Sequence, residues 1–256
     1  MTGHRDDLGR RIAAEGILLA GGGAAILLQL AHPLVARGVA GYSDFTNAPL
    51  RRLEGTLNYV TAVVHGDDDD RRALRRIVNR RHARVPGAFD PEAQLWVAAT
   101  LLRSAESSYA RAFGRLTLAE REALRATFET IGTELQMPPG AWPASVAEFD
   151  AWWAARIAES HVSDNAKKVF AELCRPASAP RWLRVVLPIV WRVALAQLPA
   201  RLRREFAPNW RRRDRFIAEL FWVIVVPGYR MLPWHVRSWP MRRQLRALQR
   251  MIATAP

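Results

Sequence analysis

The stretch RRIVNRRHARVPG, residues 75–87, sets an imidazole among arginines on a helix-period segment that stops at Val-Pro-Gly. Leu74, Ile77, Val78, His82 and Val85 fall on one face at three-to-four spacing, while Arg72, Arg75, Arg76 and Arg80 largely point away. An imidazole on an inward helix face can hold a metal, and a heme iron needs only one such axial ligand facing an apolar pocket. The other reading is a core histidine bonded to a carbonyl, the commoner fate of such a residue. Arg52 and Thr56 form a second pair, four apart on one helix face. A guanidinium there could bind propionates or polarise bound oxygen, and the hydroxyl could donate a hydrogen bond. The bland alternatives are an Arg bonded to a helix end and a Thr back-bonded to a carbonyl. His32, before Pro33, and His65, before Gly66, stand at helix ends, where a cap or a dipole contact accounts for them.

Other chemistries lack their residues. The chain has no Walker loop, no G-x-G-x-x-G after a strand, no H-E-x-x-H and no G-x-S-x-G. A diiron carboxylate centre needs Glu-x-x-His on two helices, and none is present. The six histidines include no i, i+4 pair, so the spacing favours a site with a single histidine over a polynuclear one. Cys174 is the one cysteine, which excludes an intrachain disulfide and suits a reducing cytoplasm.

The elements that must position these residues read as helical nearly throughout. Residues 6–31 predict a first helix, with Gly21–Gly23 where another backbone could approach closely. Pro33 restarts it to about Tyr42, and SDFTNAP follows as a loop. Helices are expected at 49–66, from Asp67–Asp70 to beyond His82, at 89–114 with Asp90 as N-cap and Gly114 as stop, and at about 118–135 with a Thr117–Glu120 capping box. Further helices are expected at 145–160, 163–174, 180–196, 198–206, 210–226 and 237–253. The expected architecture is all-α, about ten helices in a single domain over residues 1–256. The apolar run at Gly16–Ala31 follows a twin arginine. Its Glu15 and Gln29, and the lack of an A-x-A site before His32, favour a buried helix over a signal peptide or a membrane span.

Charge divides the chain unevenly. Of a net +14, residues 181–256 carry +13, with sixteen Arg, one Asp and two Glu, and hold six of the ten Trp. A basic, Trp-rich helical segment suits an anionic surface such as lipid head groups. A compositional preference for Arg over Lys is the alternative. No aromatic-basic module of a nucleic-acid fold is visible, so no nucleic-acid partner is expected.

Taken in order, several pieces carry a resemblance. They are LLQLAHPLVARGV (27–39), SDF (43–45), Pro49 with Arg52 and Thr56, Gly66-Asp67, HARVPG (82–87), DPEAQLWVAATL (90–101) and YARAFGRLTLAER (109–121). Over residues 10–140, and more weakly to about 215, the chain resembles the family of rubber oxygenases (latex-clearing proteins) and the fungal oxygenase of the mycophenolic acid pathway. The resemblance implies a b-type heme in an all-α, globin-like core. His82 resembles the proximal heme ligand, and Arg52 and Thr56 resemble the Arg-x-x-x-Thr pair beside the heme. His32 falls in the first matching piece and is taken as a further cofactor-binding candidate. This chain departs from the family at Tyr42, where many members have histidine, at Ala98 in WVAATL, where WVHATL is usual, and at Gly55, where a rubber oxygenase can carry lysine. Between His32 and Arg52 the only carboxylate is Asp44. The departures remove polar groups that rubber cleavage would use.

The leading expectation is therefore a heme-dependent oxidoreductase, an oxygenase joining dioxygen to an apolar or isoprenoid-like substrate, with Leu27, Leu30, Val60 and Leu101 as its apolar lining. A non-enzymatic heme carrier or sensor is the second. A peripheral membrane-surface protein acting through residues 181–256 is the third.

Overall fold

The computed structural model describes residues 2–42, 49–176 and 180–253, and of residues 2–6, 42 and 49–54 the backbone alone. Among the described residues there are fourteen α-helices, one 3-10 turn and no strand. The expected loop at 43–48, with Asp44, lies outside them.

The first expected helix is broken. α1 (Thr2–Ala13) gives way to a 3-10 turn (Gly16–Gly21) and then α2 (Gly22–Leu30), with a 61° bend between the segments. Glu15 is the reason. It is extended at the break and only 6% exposed. Its Oε2 accepts from the Tyr229 hydroxyl at 2.6 Å, and its Oε1 lies 3.4 Å from Arg237. The Tyr229 oxygen in turn accepts from the Ile17 N–H at 3.1 Å. A continuous helix would not deliver the carboxylate to these two distant partners. The glycines after the break admit close neighbours as expected: a Cβ on Gly21 would sit 2.6 Å from the Ser104 carbonyl, and one on Gly23 2.9 Å from Ala194. No single described helix is long and apolar enough to cross a membrane; the bent pair Asp7–Ala13 and Gly16–Leu30 reaches that composition only together. Ala24, Ala25, Leu27, Leu28 and Leu30 of this pair are buried in the chain.

The next helices end where local chemistry dictates. α3 (Pro33–Tyr42) and α4 (Pro49–His65) lead to α5 (Asp68–His82). Asp67 caps α5 by accepting from the Asp70 N–H at 2.9 Å, and three aspartates follow in the positive first turn. α6 (Pro91–Phe113) starts on Asp90, which accepts from Ala93 N–H at 2.8 Å, and stops at Gly114, whose φ of +94° only glycine adopts readily. In α7 (Leu118–Thr133) Thr117 and Glu120 form the expected reciprocal box. α8 (Val146–Glu159) and α9 (Asp164–Cys174) follow on serine caps.

The C-terminal part comprises α10 (Arg181–Ala196), α11 (Ala200–Phe206), α12 (Arg212–Met231), α13 (Trp234–Arg237) and α14 (Trp239–Ala253). α12 runs five residues past its expected end at 226, straight through Pro227. A proline leaves the carbonyl four residues back without its donor. Here that residue is Val223, 67% exposed, so water can serve instead.

Among the described residues three buried clusters hold the helices together, a small one of Ile17, Ala112, Val193, Ala218 and Trp222 and two larger ones. One gathers Ile12, Tyr59, Leu102, Leu124, Phe128 and Leu248 from α1, α4, α6, α7 and α14. The other gathers Leu27, Leu30, Val169, Trp191 and Leu202 from α2, α9, α10 and α11. Trp96 of α6 ties them: its Nε1 donates to the Leu28 carbonyl at 3.0 Å, and its ring stacks on Trp153 at 5.3 Å. Each fully buried leucine contributes roughly 1.5–3 kcal/mol. Leu27 and Leu30 belong to one core, while Val60 and Leu101 flank the other. The expectation that these four line a common pocket is therefore corrected: their burial is spent on packing.

Candidate functional site

His82 is the last residue of α5. The face that the sequence assigned inward is inward: Leu74 is buried, and Ile77, Val78, His82 and Val85 are half-buried. Arg72, Arg75, Arg76 and Arg80 are exposed. The His82 ring meets Phe89 edge-on, centroids 6.1 Å apart and planes at 72°. Its carbonyl accepts from the Val85 N–H at 2.8 Å, and the turn closes at Gly87, φ +78°. α3 seats on this turn: a Cβ on Gly38 would lie 2.9 Å from Val85 Cγ1, and one on Gly87 3.4 Å from Leu34. α4 reaches the same place from another side, with Gly55 set against the Arg81 guanidinium.

A histidine that serves only a core is covered by its own chain. His82 is half-buried, and its aromatic neighbour Phe89 is 42% exposed. A half-buried imidazole with apolar flanks at the end of a helix is a residue that could hold a heme iron.

Thr56 is exposed on α4, next to Gly55 and so next to the helix that approaches α5. Arg52 lies one turn earlier on the same helix; its side chain is outside the described residues. His32 sits between α2 and α3, and its carbonyl accepts from Ala36 N–H at 2.9 Å, the helix-start role its position suggests. Its ring lies 6.3 Å from Trp96. Nδ1 is buried with no hydrogen-bond partner among the described residues. Burial holds its pKa below the usual histidine value, against the raising charges of Glu92 and Asp90, so the ring is neutral at pH 7. His82 and His32 thus both stand near the start of α6, one beside Phe89 and the other beside Trp96.

A cavity of about 620 Å³ lies elsewhere, with no lining residue from α3, α4 or α5. Its charged wall is an ion network that sequence reasoning missed. Arg121 donates to Glu106 at 2.9 Å and to Asp150 at 2.8 Å, and Arg103 bonds the same two acids. The hydrogen bond from Arg121 holds the Asp150 carboxyl down at about 2, with burial opposing and Arg103 adding to the effect. The network ties α6, α7 and α8 together, and Asp150, held this firmly ionised, does not trade its proton near neutrality. The Arg103-x-x-Glu106 spacing was the legible half of the network; Arg121 and Asp150 arrive from other helices. Cys174 is also inert, since burial pushes its thiol up to about 11. Among the described residues no three His, Cys, Asp or Glu side chains converge as a metal cage.

Comparison with known proteins bears on the whole arrangement. Residues 9–227 match the family described as ER-bound oxygenase mpaB/B'/Rubber oxygenase, catalytic domain. Uncharacterized proteins of Mycobacterium bovis and Mycobacterium tuberculosis are each 26% identical over 241 residues, covering 83% of this chain and 93% of theirs. No solved structure matches. The match runs from within α1 to within α12 and includes the end of α5 that carries His82. The chain belongs to the mpaB and rubber oxygenase catalytic-domain family.

Proposed function

We propose that this protein is a heme b-dependent oxygenase that oxidises an apolar, isoprenoid-like small molecule with dioxygen. The observation that carries the reading is the half-buried imidazole of His82, at the helix end closed by HARVPG, in a chain of an oxygenase family. His82 would hold the heme iron. When bound, the heme supplies the redox-active iron at which dioxygen is activated. The chain's own part is positioning. The turn at Gly87, locked against α3, fixes the His82 ring. Phe89 packs against that ring edge-on. Arg52 and Thr56, one turn apart on α4, are the groups proposed to hydrogen-bond negative charge beside the iron or the heme propionates. His32, neutral at pH 7, is a candidate acceptor near the same end of α6.

The departures at Ala98 and Gly55 argue for a substrate other than rubber. The test is oxygen uptake by the purified, hemin-supplemented protein with squalene or a short polyisoprenol. Substrate-dependent uptake that His82→Ala abolishes is expected. Heme retained with no uptake on any apolar substrate would favour a carrier or sensor instead.

A further inference from the structure

α10 and α12 are amphipathic with the wrong side out. On α10, Trp182, Val185, Val186 and Ile189 recur at i, i+3, i+4 and i+7, and all four are exposed, Val185 at 75%. On α12, Phe216, Leu220, Val223, Ile224 and Met231 form a second such stripe, also exposed, Met231 at 85%. The opposite faces of the same helices are filled: Trp191, Val193, Ala218 and Trp222 are buried. The two helices pack against each other, so two apolar stripes lie on neighbouring helices and cover nothing. A soluble face of this kind is ordinarily polar, and a contiguous apolar one marks an interaction surface.

The charges around it choose the partner. All three acids of residues 181–253 are occupied within the chain: Glu205 by Arg201 at 3.0 Å, Asp214 by Arg192 at 2.8 Å and Glu219 by Arg111 at 2.5 Å. Exposed arginines stand at both ends of the α12 stripe, Arg212 and Arg213 before it and Arg230 in its last turn beside Met231. Trp182, 63% exposed, stands within the α10 stripe itself. An apolar strip that carries Trp182 and is flanked by arginines matches the acyl, interfacial and head-group layers of a bilayer leaflet. A second copy would instead bring one strongly basic segment against another.

We propose that the α10–α12 face docks on the surface of an anionic lipid bilayer, its stripes entering the head-group boundary and its arginines meeting lipid phosphates. This does not rest on the heme.

The test uses the full chain with vesicles of phosphatidylcholine alone and with about 30% phosphatidylglycerol, read by co-sedimentation. The wild type is expected to pellet with the anionic vesicles. Val223→Asp/Ile224→Asp is expected to weaken that binding at least about tenfold with an unchanged circular dichroism spectrum, because both side chains face outward. Arg212→Gln/Arg213→Gln is expected to weaken it by several-fold and to flatten its salt dependence. A wild type that stays in the supernatant would overturn the proposal. So would a Val223→Asp/Ile224→Asp protein that pellets undiminished, or a wild-type dimer in light scattering that this substitution splits, which would assign the face to a second copy.

Discussion

Tyr229→Phe removes one oxygen and tests whether the C-terminal helices hold the N-terminal break in place. The hydroxyl donates to Glu15 Oε2 at 2.6 Å and accepts from the Ile17 N–H at 3.1 Å. Glu15 is buried, so it loses a charge-assisted hydrogen bond, about 1.5–3 kcal/mol. The Ile17 amide loses its acceptor, which adds about 1 kcal/mol. Arg237 stays 3.4 Å from the carboxylate and keeps it neutralised, which argues for the lower half of that range. The phenyl ring itself is unchanged, so its contact with Phe113 at 6.0 Å and the overlying Arg237 guanidinium persist. The expected loss is about 2.5–3.3 kcal/mol, or a fall in melting temperature of roughly 5–13 °C for a chain of this size. Urea unfolding followed by circular dichroism at 222 nm measures it. Glu15→Gln and the double variant complete a cycle, in which the two single losses are expected to add to clearly more than the double. A loss below about 0.5 kcal/mol for Tyr229→Phe would show that the break is set locally and not by α12.

Other outcomes follow from single contacts. His65 is depressed to about 4 by burial, with the Arg10 charge adding to it. The unfolded chain takes up that proton near 6.5 while the folded one does not, so stability is whole above pH 6.5 and falls as pH drops towards 4, by at most about 1.4 kcal/mol per unit. His65→Gln should flatten the melting profile in that window, and an unchanged slope would remove His65 as the cause. Asp150 acts at lower pH, because its carboxyl is held at about 2 and its stabilisation is lost only below the ordinary aspartate range. Trp96→Phe loses the bond to the Leu28 carbonyl and part of the stack on Trp153, at a cost of about 2 kcal/mol in chemical denaturation. Thr117→Ala opens the capping box of α7 and should cost about 1 kcal/mol, whereas Thr117→Ser should cost a few tenths.

What the sequence made legible was what neighbouring residues decide. Asp90 with Pro91, Thr117 with Glu120 and Gly114 state their helix ends within a few positions, and the structure has those ends. The inward face of α5 was legible for the same reason, since periodicity alone separates His82 from its arginines. The break at Glu15 was not, because its partners Tyr229 and Arg237 are more than 200 residues away. The passage of α12 through Pro227 was also hidden: the rule against proline in a helix weakens where the affected carbonyl reaches water, and exposure is a tertiary property. The outward direction of the α10 and α12 stripes was hidden as well. Apolar residues at i, i+3, i+4 and i+7 are read as inward by default, and only the packed structure shows these facing out. At the candidate site, sequence spacing located His82, Thr56 and Arg52 on their helices. It could not say that α3 would close on the turn at Val85 and Gly87, because Gly38 and Leu34 act through space.

The central claim, a heme held by His82, is tested most directly by the absorption spectrum and pyridine hemochromogen content of the purified protein after hemin loading. About one b-type heme per chain is expected, with a Soret band that His82→Ala displaces or abolishes while the helical circular dichroism is retained. A protein that takes up no heme, or one whose heme content and spectrum are the same with alanine at residue 82, would contradict it.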